Sequence, residues 1–242
     1  MMTAIVLAAG SGTRIGGEVP KQFLSLHGEP LLASSLRVFE KSPYVEEIIL
    51  VTSAPYVDYC RREIAEAYGF RKVRAVIEGG RERYDSVYRG LLACEGTDFV
   101  MIHDGARPFV TEEIVQRCAE TVQEYGTAVA GMPSRDTVKI ADEEGFVRET
   151  PPRKSVWTIQ TPQAFSYALI RRANEVLRSR GGMEGVTDDA MIVERSGLAK
   201  VRLVRGAYDN IKITTPEDLR FLEPREETSI SQRHKDCEYP LS

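Results

Sequence analysis

The sequence predicts an α/β layered fold, with a mostly parallel central sheet flanked by helices and a protruding β-hairpin arm. Three observations lead there. Short, nearly continuous apolar runs recur at residues 4–9, 47–52, 73–77, 99–103, 128–132, 156–160 and 200–204. Runs apolar on both faces belong in strands covered on both sides, as in parallel sheets. Helix-period segments alternate with them at 31–40, 56–68, 81–94, 111–124 and 167–178, and shorter ones follow at 188–195 and 216–222. Strand–helix alternation of this kind places helices on both faces of a sheet. Finally, one segment breaks the alternation: 136–140 and 146–150 flank Asp142-Glu143-Glu144-Gly145, which reads as a hairpin closed by a glycine-ended turn.

Each element has a local reason. The first run, Ala4-Ile5-Val6-Leu7-Ala8-Ala9, is apolar enough for a signal peptide, but no basic residue precedes it and a polar glycine loop follows, so it is a first strand. The helix at 31–40 stops at Ser42-Pro43, and the one at 56–68 stops at Gly69. The helix at 81–94 puts Val87, Leu91 and Cys94 on one face. The helix at 111–124 opens with Thr111 as N-cap and ends before Gly126; the one at 167–178 closes before Gly181-Gly182. A lone two-stranded ribbon is marginal in water, so the arm at 136–154 is expected to lean on a second subunit rather than on its own domain. Residues 1–225 form one expected domain, and the polar, aperiodic tail at 226–242 is expected to be flexible.

Composition narrows the function. Lys and Arg number 32 against 36 Asp and Glu, a net charge of −4, which argues against a nucleic-acid-coating surface. No apolar run approaches the ~18–20 residues of a membrane helix. The four cysteines, Cys60, Cys94, Cys118 and Cys237, are far apart and read as buried thiols in a reducing cytoplasm. His27, His103 and His234 form no zinc-binding pattern.

Ligands in such Rossmann-like sheets bind beyond the carboxyl ends of the strands. There the loop Gly10-Ser11-Gly12-Thr13-Arg14-Ile15-Gly16 follows strand one. Its glycines let backbone amides turn toward a phosphate. A dinucleotide-binding loop is the competitor, and with it a nicotinamide-cofactor oxidoreductase. However, G-x-G-x-x-x-G is one residue too long, and the second strand ends in Val51-Thr52-Ser53-Ala54 without an acid for a ribose. Arg14 inside the loop and Lys21 just after it suit a triphosphate better than a pyrophosphate diester.

Leu7-Ala8-Ala9-Gly10-x-Gly12-x-Arg14 with Pro20-Lys21-Gln22-Phe23 resembles the signature of the sugar-phosphate nucleotidyltransferases. More narrowly, it resembles the 2-C-methyl-D-erythritol 4-phosphate cytidylyltransferase family. Further matching blocks are Gly79-Gly80-x-x-Arg83-x-x-Ser86-Val87, His103-Asp104-Gly105-Ala106-Arg107-Pro108, Arg135-Asp136-Thr137, Thr161-Pro162-Gln163, Thr187-Asp188-Asp189 and Asp209-Asn210-Ile211-Lys212. The likeness runs over about residues 3–222. One departure is Gly105, where alanine is usual; it is expected only to add local freedom.

The resemblance implies a Mg²⁺-dependent cytidylyltransferase acting on CTP and 2-C-methyl-D-erythritol 4-phosphate, working as a cytoplasmic homodimer. Ribitol 5-phosphate is the alternative polyol. Asp104, just past the 99–103 strand at the ligand edge, and Asp209, before a strand-like 210–213, would flank the metal. Ala8, Ala9, Gly10, Gly12, Gly80 and Ser86 would hold the nucleotide, Ser86 remaining open to a reading as an ordinary helix residue. Arg14 and Lys21 would stabilise the transition state, and Lys212 would hold the incoming phosphate. Arg153 would position the polyol phosphate from its own or a neighbouring subunit, or else is a surface arginine. Arg107, Thr137 and Thr187 would contact the polyol phosphate. Asp188 and Asp189 are equally readable as helix caps. The attacking phosphate oxygen is already ionised at neutral pH, so no general base is expected.

Overall fold

The computed structural model describes residues 1–10, 20–26 and 28–222. The expected tail lies outside them. The core is a seven-stranded sheet built from β1 (Met2–Ala8), β4 (Glu47–Thr52), β5 (Val73–Glu78), β6 (Phe99–Asp104), β7 (Thr127–Pro133), β10 (Trp157–Ser166) and β11 (Leu203–Arg205). Their order is β11-β7-β10-β6-β1-β4-β5. All neighbours are parallel except β10, which runs antiparallel to both β6 and β7.

Alternation along the central strand explains the layers. Ala4, Val6 and Ala8 of β1 pack with α1 (Leu31–Lys41), a helical segment at 54–66 (α2) and α4 (Glu112–Tyr125). Ile5 and Leu7 face the other way, onto α3 (Arg83–Ala93), α5 (Tyr167–Ser179) and α6 (Asp189–Ser196). Every residue of β1 is buried, which is why the run carries no polar alternation. Gly126 ends α4 in the left-handed conformation, with φ +72°.

Four expectations shift. The 56–68 helix begins earlier and is irregular, a 3₁₀ turn at Ala54–Tyr56 leading through Val57–Tyr59 into a π segment at Cys60–Glu66. The run 156–160 continues to Ser166 through Pro162, with a register shift between Ile159 and Gln163. The strand expected at 200–204 pairs only from Leu203, because the Thr127 hydroxyl takes the Lys200 carbonyl and the Arg202 amide ahead of the ladder. Residues 210–213 are not a strand: the Ile211 amide turns back onto the Asp209 carbonyl at 2.7 Å.

The helix expected at 216–222 is a 3₁₀ segment, Pro216–Phe221. Two small ribbons stand apart from the main sheet. One pairs β2 (Ser25–Leu26) with β3 (Glu29–Pro30), and the other, the expected arm, pairs β8 (Ile140–Ala141) with β9 (Val147–Glu149). The arm's turn is closed by the Asp142 carboxylate, which accepts from the Glu144 and Phe146 amides. Its paired residues are shorter than expected and all exposed, and Ile140, Phe146 and Val147 leave apolar surface in solvent. The paired residues of the arm therefore stand in solvent, while its base is tied back through Arg153, which donates to the Arg135 carbonyl.

Cys60, Cys94 and Cys118 are buried free thiols, and burial pushes them up to about 11, 11 and 12.

α3 approaches the sheet closely at Gly90, where a methyl group would lie 2.6 Å from Ile5 Cγ2 and 3.3 Å from Val51 Cγ2. Gly90→Ala gains up to about 1 kcal/mol in helix propensity but overpacks a dry interface at about 1–3 kcal/mol. A net loss of roughly 1 kcal/mol is expected in urea unfolding; an unchanged or higher midpoint would show the interface to be slack.

Candidate active site

The ends of β1, β5 and β6 open onto a cavity of about 400 Å³ lined by Ala8, Ala9, Gly10, Lys21, Gly80 and Ser86, among others. Its floor is held by Gln22, a buried amide that donates to the Ala8 carbonyl at 2.8 Å and so anchors the 3₁₀ turn carrying Lys21. Its wall is the 79–80 turn. The Gly80 amide donates to Ser86 Oγ at 3.1 Å, and that hydroxyl donates to the Glu82 carbonyl. A methyl group on Gly79 would meet Ala9 Cβ and Ser86 Oγ at 2.7 Å, and one on Gly80 would meet Asp85 Cβ at 2.3 Å. Both glycines are demanded by close approach. Ser86 is therefore more than an ordinary helix residue: it fixes the loop.

Asp104 stands at the end of β6 and organises the charges. Arg83 Nε donates to its Oδ1 at 3.0 Å, and Lys212 Nζ lies 2.8 Å from its Oδ2. Burial opposes ionisation of Asp104, but Arg83 and Lys212 outweigh it and hold the carboxyl well below the usual range. Arg83 also reaches Asp189, donating from Nη2 to Oδ2 at 2.8 Å. Asp189 is completely buried, and its Oδ1 has no hydrogen-bond partner among the described residues. Burial pushes that carboxyl up, and Arg83 offsets only part of the rise. The two acids of the Thr187-Asp188-Asp189 block therefore divide their work. Asp188 caps α6, accepting from the Met191 amide, while Asp189 is an ion-pair partner.

Arg83, Asp104 and Lys212 also line a second cavity of about 420 Å³, together with Arg107, Thr161 and Thr187. The charged trio is thus a partition between two cavities. A third cavity of about 400 Å³ continues past Arg107 and Lys212 toward Arg135 and Asp136, where the Arg135 guanidinium stacks 3.4 Å over the Tyr208 ring. Burial lowers the Arg107 guanidinium from its ordinary value, Asp104 offsetting part of that effect.

The structure brings together Ala8, Ala9, Gly10, Lys21, Gly80, Ser86, Asp104 and Lys212 around the first cavity, and Arg107 and Thr187 beside the second. Gly12 and Arg14 lie outside the described residues. Thr137, Arg153 and Asp209 are exposed and line none of these three cavities. Arg153 donates to the Arg135 carbonyl at the base of the arm. Gly105 does more than add freedom: a methyl group there would lie 2.8 Å from the buried Leu32 Cδ1 and 3.1 Å from the Leu7 carbonyl.

Among the described residues no group of three or more acidic, histidine or cysteine side chains could cage a metal. Mg²⁺, however, commonly takes one or two carboxylates and completes its shell with phosphate oxygens and water. Asp104, ionised and on the wall of a glycine-lined cavity, fits that donor set. Asp209, the second expected ligand, is exposed and lines none of the three cavities. Sequence reading missed the roles of Gln22, Arg83 and Asp189, although all three sit inside motif blocks. An arginine next to a glycine turn carries no mark of the acid, 106 positions away, that it meets.

The sequence profile of the IspD family, described as 2-C-methyl-D-erythritol 4-phosphate cytidylyltransferase, matches residues 2–224. A protein of that name from Lachnospira eligens is 50% identical over 221 residues, covering 91% of this chain and 97% of that protein. One from Geobacter metallireducens is 48% identical over 224 residues, covering 91% and 95%. The crystal structure of 4-diphosphocytidyl-2C-methyl-D-erythritol synthase from Anaerococcus prevotii superposes with a TM-score of 0.81 at 34% identity, covering 91% of this chain and 93% of that one.

Removing Arg83 leaves two buried carboxylates short of a cation, so Arg83→Gln is expected to lower stability at pH 7 by about 3 kcal/mol. Combining it with Asp189→Asn is expected to cost less than the sum of the single changes in a double-mutant cycle. Strict additivity would mean that the pair does not couple.

Proposed function

The chain belongs to the 2-C-methyl-D-erythritol 4-phosphate cytidylyltransferase family, and from that premise we propose how its residues carry out the family's reaction. The chain is a nucleotidyltransferase of non-mevalonate isoprenoid precursor synthesis, forming 4-diphosphocytidyl-2-C-methyl-D-erythritol and pyrophosphate from CTP and 2-C-methyl-D-erythritol 4-phosphate. A phosphate oxygen of the polyol forms a bond to the α-phosphorus of CTP. The bond from that phosphorus to the bridging oxygen breaks, and pyrophosphate leaves with the electron pair. No proton need be removed from the nucleophile.

The observation that carries the assignment of roles is the partition. Arg83, Asp104 and Lys212 separate a glycine-lined cavity from a second one bordered by Arg107 and Thr187. CTP occupies the first, with its base against the backbone of Ala8, Ala9 and Gly80 and the loop that Ser86 fixes. Its phosphates lie by Gly10 and Lys21, and the sequence motif adds Gly12 and Arg14 to the residues that bind them. The polyol phosphate approaches from the far side, with Arg107 and Lys212 neutralising it and the Thr187 hydroxyl donating to it. Preorganised cations are worth most where two anions must meet in a site with little water. Asp104, with the triphosphate oxygens, would hold Mg²⁺, which when bound supplies charge neutralisation at the α-phosphoryl group and the leaving pyrophosphate. His103 is excluded as a base by position: it is completely buried and both ring nitrogens are engaged.

The chain works as a homodimer through the β8–β9 arm, whose exposed Ile140, Phe146 and Val147 support the reading. Thr137 and Arg153, at the arm's base, contact polyol phosphate from this or the neighbouring subunit. The three buried free thiols support a reducing compartment, the cytoplasm.

Purified protein given CTP, 2-C-methyl-D-erythritol 4-phosphate and Mg²⁺ is expected to release pyrophosphate, and faster than with ribitol 5-phosphate; no release would end the reading. Lys21→Ala and Arg14→Ala are each expected to lower kcat by on the order of 100-fold, and a loss under about threefold would remove that residue from the mechanism. Deleting residues 139–149 is expected to shift the gel-filtration volume toward a monomer, and an unchanged volume would refute the arm's role.

A further inference from the structure

We propose that Thr161 is a positioning residue for this reaction. Together with His103, it sets the backbone of the 103–107 loop and so the placement of Asp104, Arg107 and the segment carrying Lys212. The inference rests on the proposed function for its readout, but its geometry is independent of it.

The need for such a device comes from the sheet. On one side of β6, pairing with β1 runs through His103 and Asp104. On the other side, pairing with β10 stops at Ile102, opposite Gln163, at the point where β10 also breaks register with its other neighbour, β7, between Ile159 and Gln163. The Asp104 amide is therefore left without a ladder carbonyl, and a buried N–H without a partner is costly. Thr161 Oγ1 takes its place, accepting from the Asp104 amide at 3.0 Å.

The direction of the remaining bonds is then fixed. His103 Nε2 lies 3.2 Å from the Arg107 carbonyl. A carbonyl only accepts, so Nε2 carries the hydrogen. In a buried neutral ring Nδ1 is then an acceptor, and the Thr161 hydroxyl, 3.1 Å away, donates to it. The hydroxyl thus accepts from the Asp104 backbone and donates to the ring that holds Arg107. The turn between the two is closed by the Arg107 amide on the Asp104 carbonyl at 2.9 Å.

Thr161 also works through its own backbone. Its carbonyl accepts from Asn210 Nδ2 at 2.9 Å, and the Asn210 carbonyl accepts from Arg107 Nη1 at 2.8 Å. Asn210 is completely buried and stands two residues before Lys212. One threonine thus closes a circuit through the acid at the partition, the arginine of the second cavity and the strand-end segment that brings in the lysine. Simple packing does not require this. The His103 ring also rests 5.1 Å from the Phe39 ring, a contact an apolar side chain could equally make.

The test is a pair of near-isosteres. Thr161→Val keeps the volume and removes the hydroxyl; Thr161→Ser keeps the hydroxyl. Displacing groups by a fraction of an ångström to an ångström costs on the order of 10- to 100-fold in rate. Thr161→Val is therefore expected to lower kcat by about 10-fold or more while leaving KM for CTP within about twofold, and Thr161→Ser is expected to recover most of the loss. A Thr161→Val enzyme with wild-type kcat overturns the inference. So does one in which kcat and KM for CTP worsen together with no rescue by Ser, the signature of lost packing alone. If the valine variant does not fold, ¹⁵N NMR of the wild-type imidazole decides. The neutral Nε2–H tautomer of His103 is expected, and the Nδ1–H tautomer overturns the relay. Wild-type protein that releases no pyrophosphate sinks the proposed function instead, leaving the NMR result to judge the relay by itself.

Discussion

A carboxylate buried at the end of a central strand stays ionised only if cations attend it, and Asp104 has two. Arg83 takes one oxygen and Lys212 the other. Desolvating an ion costs several kcal/mol unless geometry and hydrogen bonds compensate, so this contact binds together segments that are remote in the chain. It fixes α3 through Arg83, the end of β6 through Asp104 and the 210–213 turn through Lys212. Asp189 joins through the same guanidinium and brings the start of α6 into register. The start of α6 is held a second time by Gln163, whose Oε1 accepts from the Asp189 and Ala190 amides.

The same contact shapes the chemistry. Two polyanions have to be brought together, and the positive side chains that allow this would repel one another in an empty protein. The acids Asp104 and Asp189 relieve that repulsion within the partition. They keep Arg83 and Lys212 in fixed positions, the preorganisation that the proposed roles require. A site built this way needs no proton-transfer residue, in keeping with His103 being committed to holding a loop.

The reversed strand β10 has consequences beyond topology. Its pairing with β6 ends one residue short of His103 and Asp104, where its register with β7 also breaks, and buried polar side chains fill the gap. Gln160 donates to the Ala207 carbonyl, Asn210 donates to Thr161 and Gln160, and Thr161 serves the Asp104 amide. These polar residues look out of place in a core, yet they stand where the sheet fails to satisfy its own backbone.

The layered fold, the order of strands and helices along the chain, the glycine loop after the first strand and the placing of Asp104 at the carboxyl edge of the sheet were all determined by the sequence alone. Each depends on local periodicity, on turn residues or on motif blocks whose spacing survives without knowledge of the fold. The antiparallel direction of β10 and its continuation past Pro162, the turn at 209–211 and the exposure of Asp209 were decided only by tertiary structure, as were the joining of Arg83 to Asp189 and the circuit around Thr161. Their cause is the matching of backbone and charged groups between segments distant in the chain. Periodicity and spacing report which face a residue presents, but not which remote donor or acceptor will meet it there.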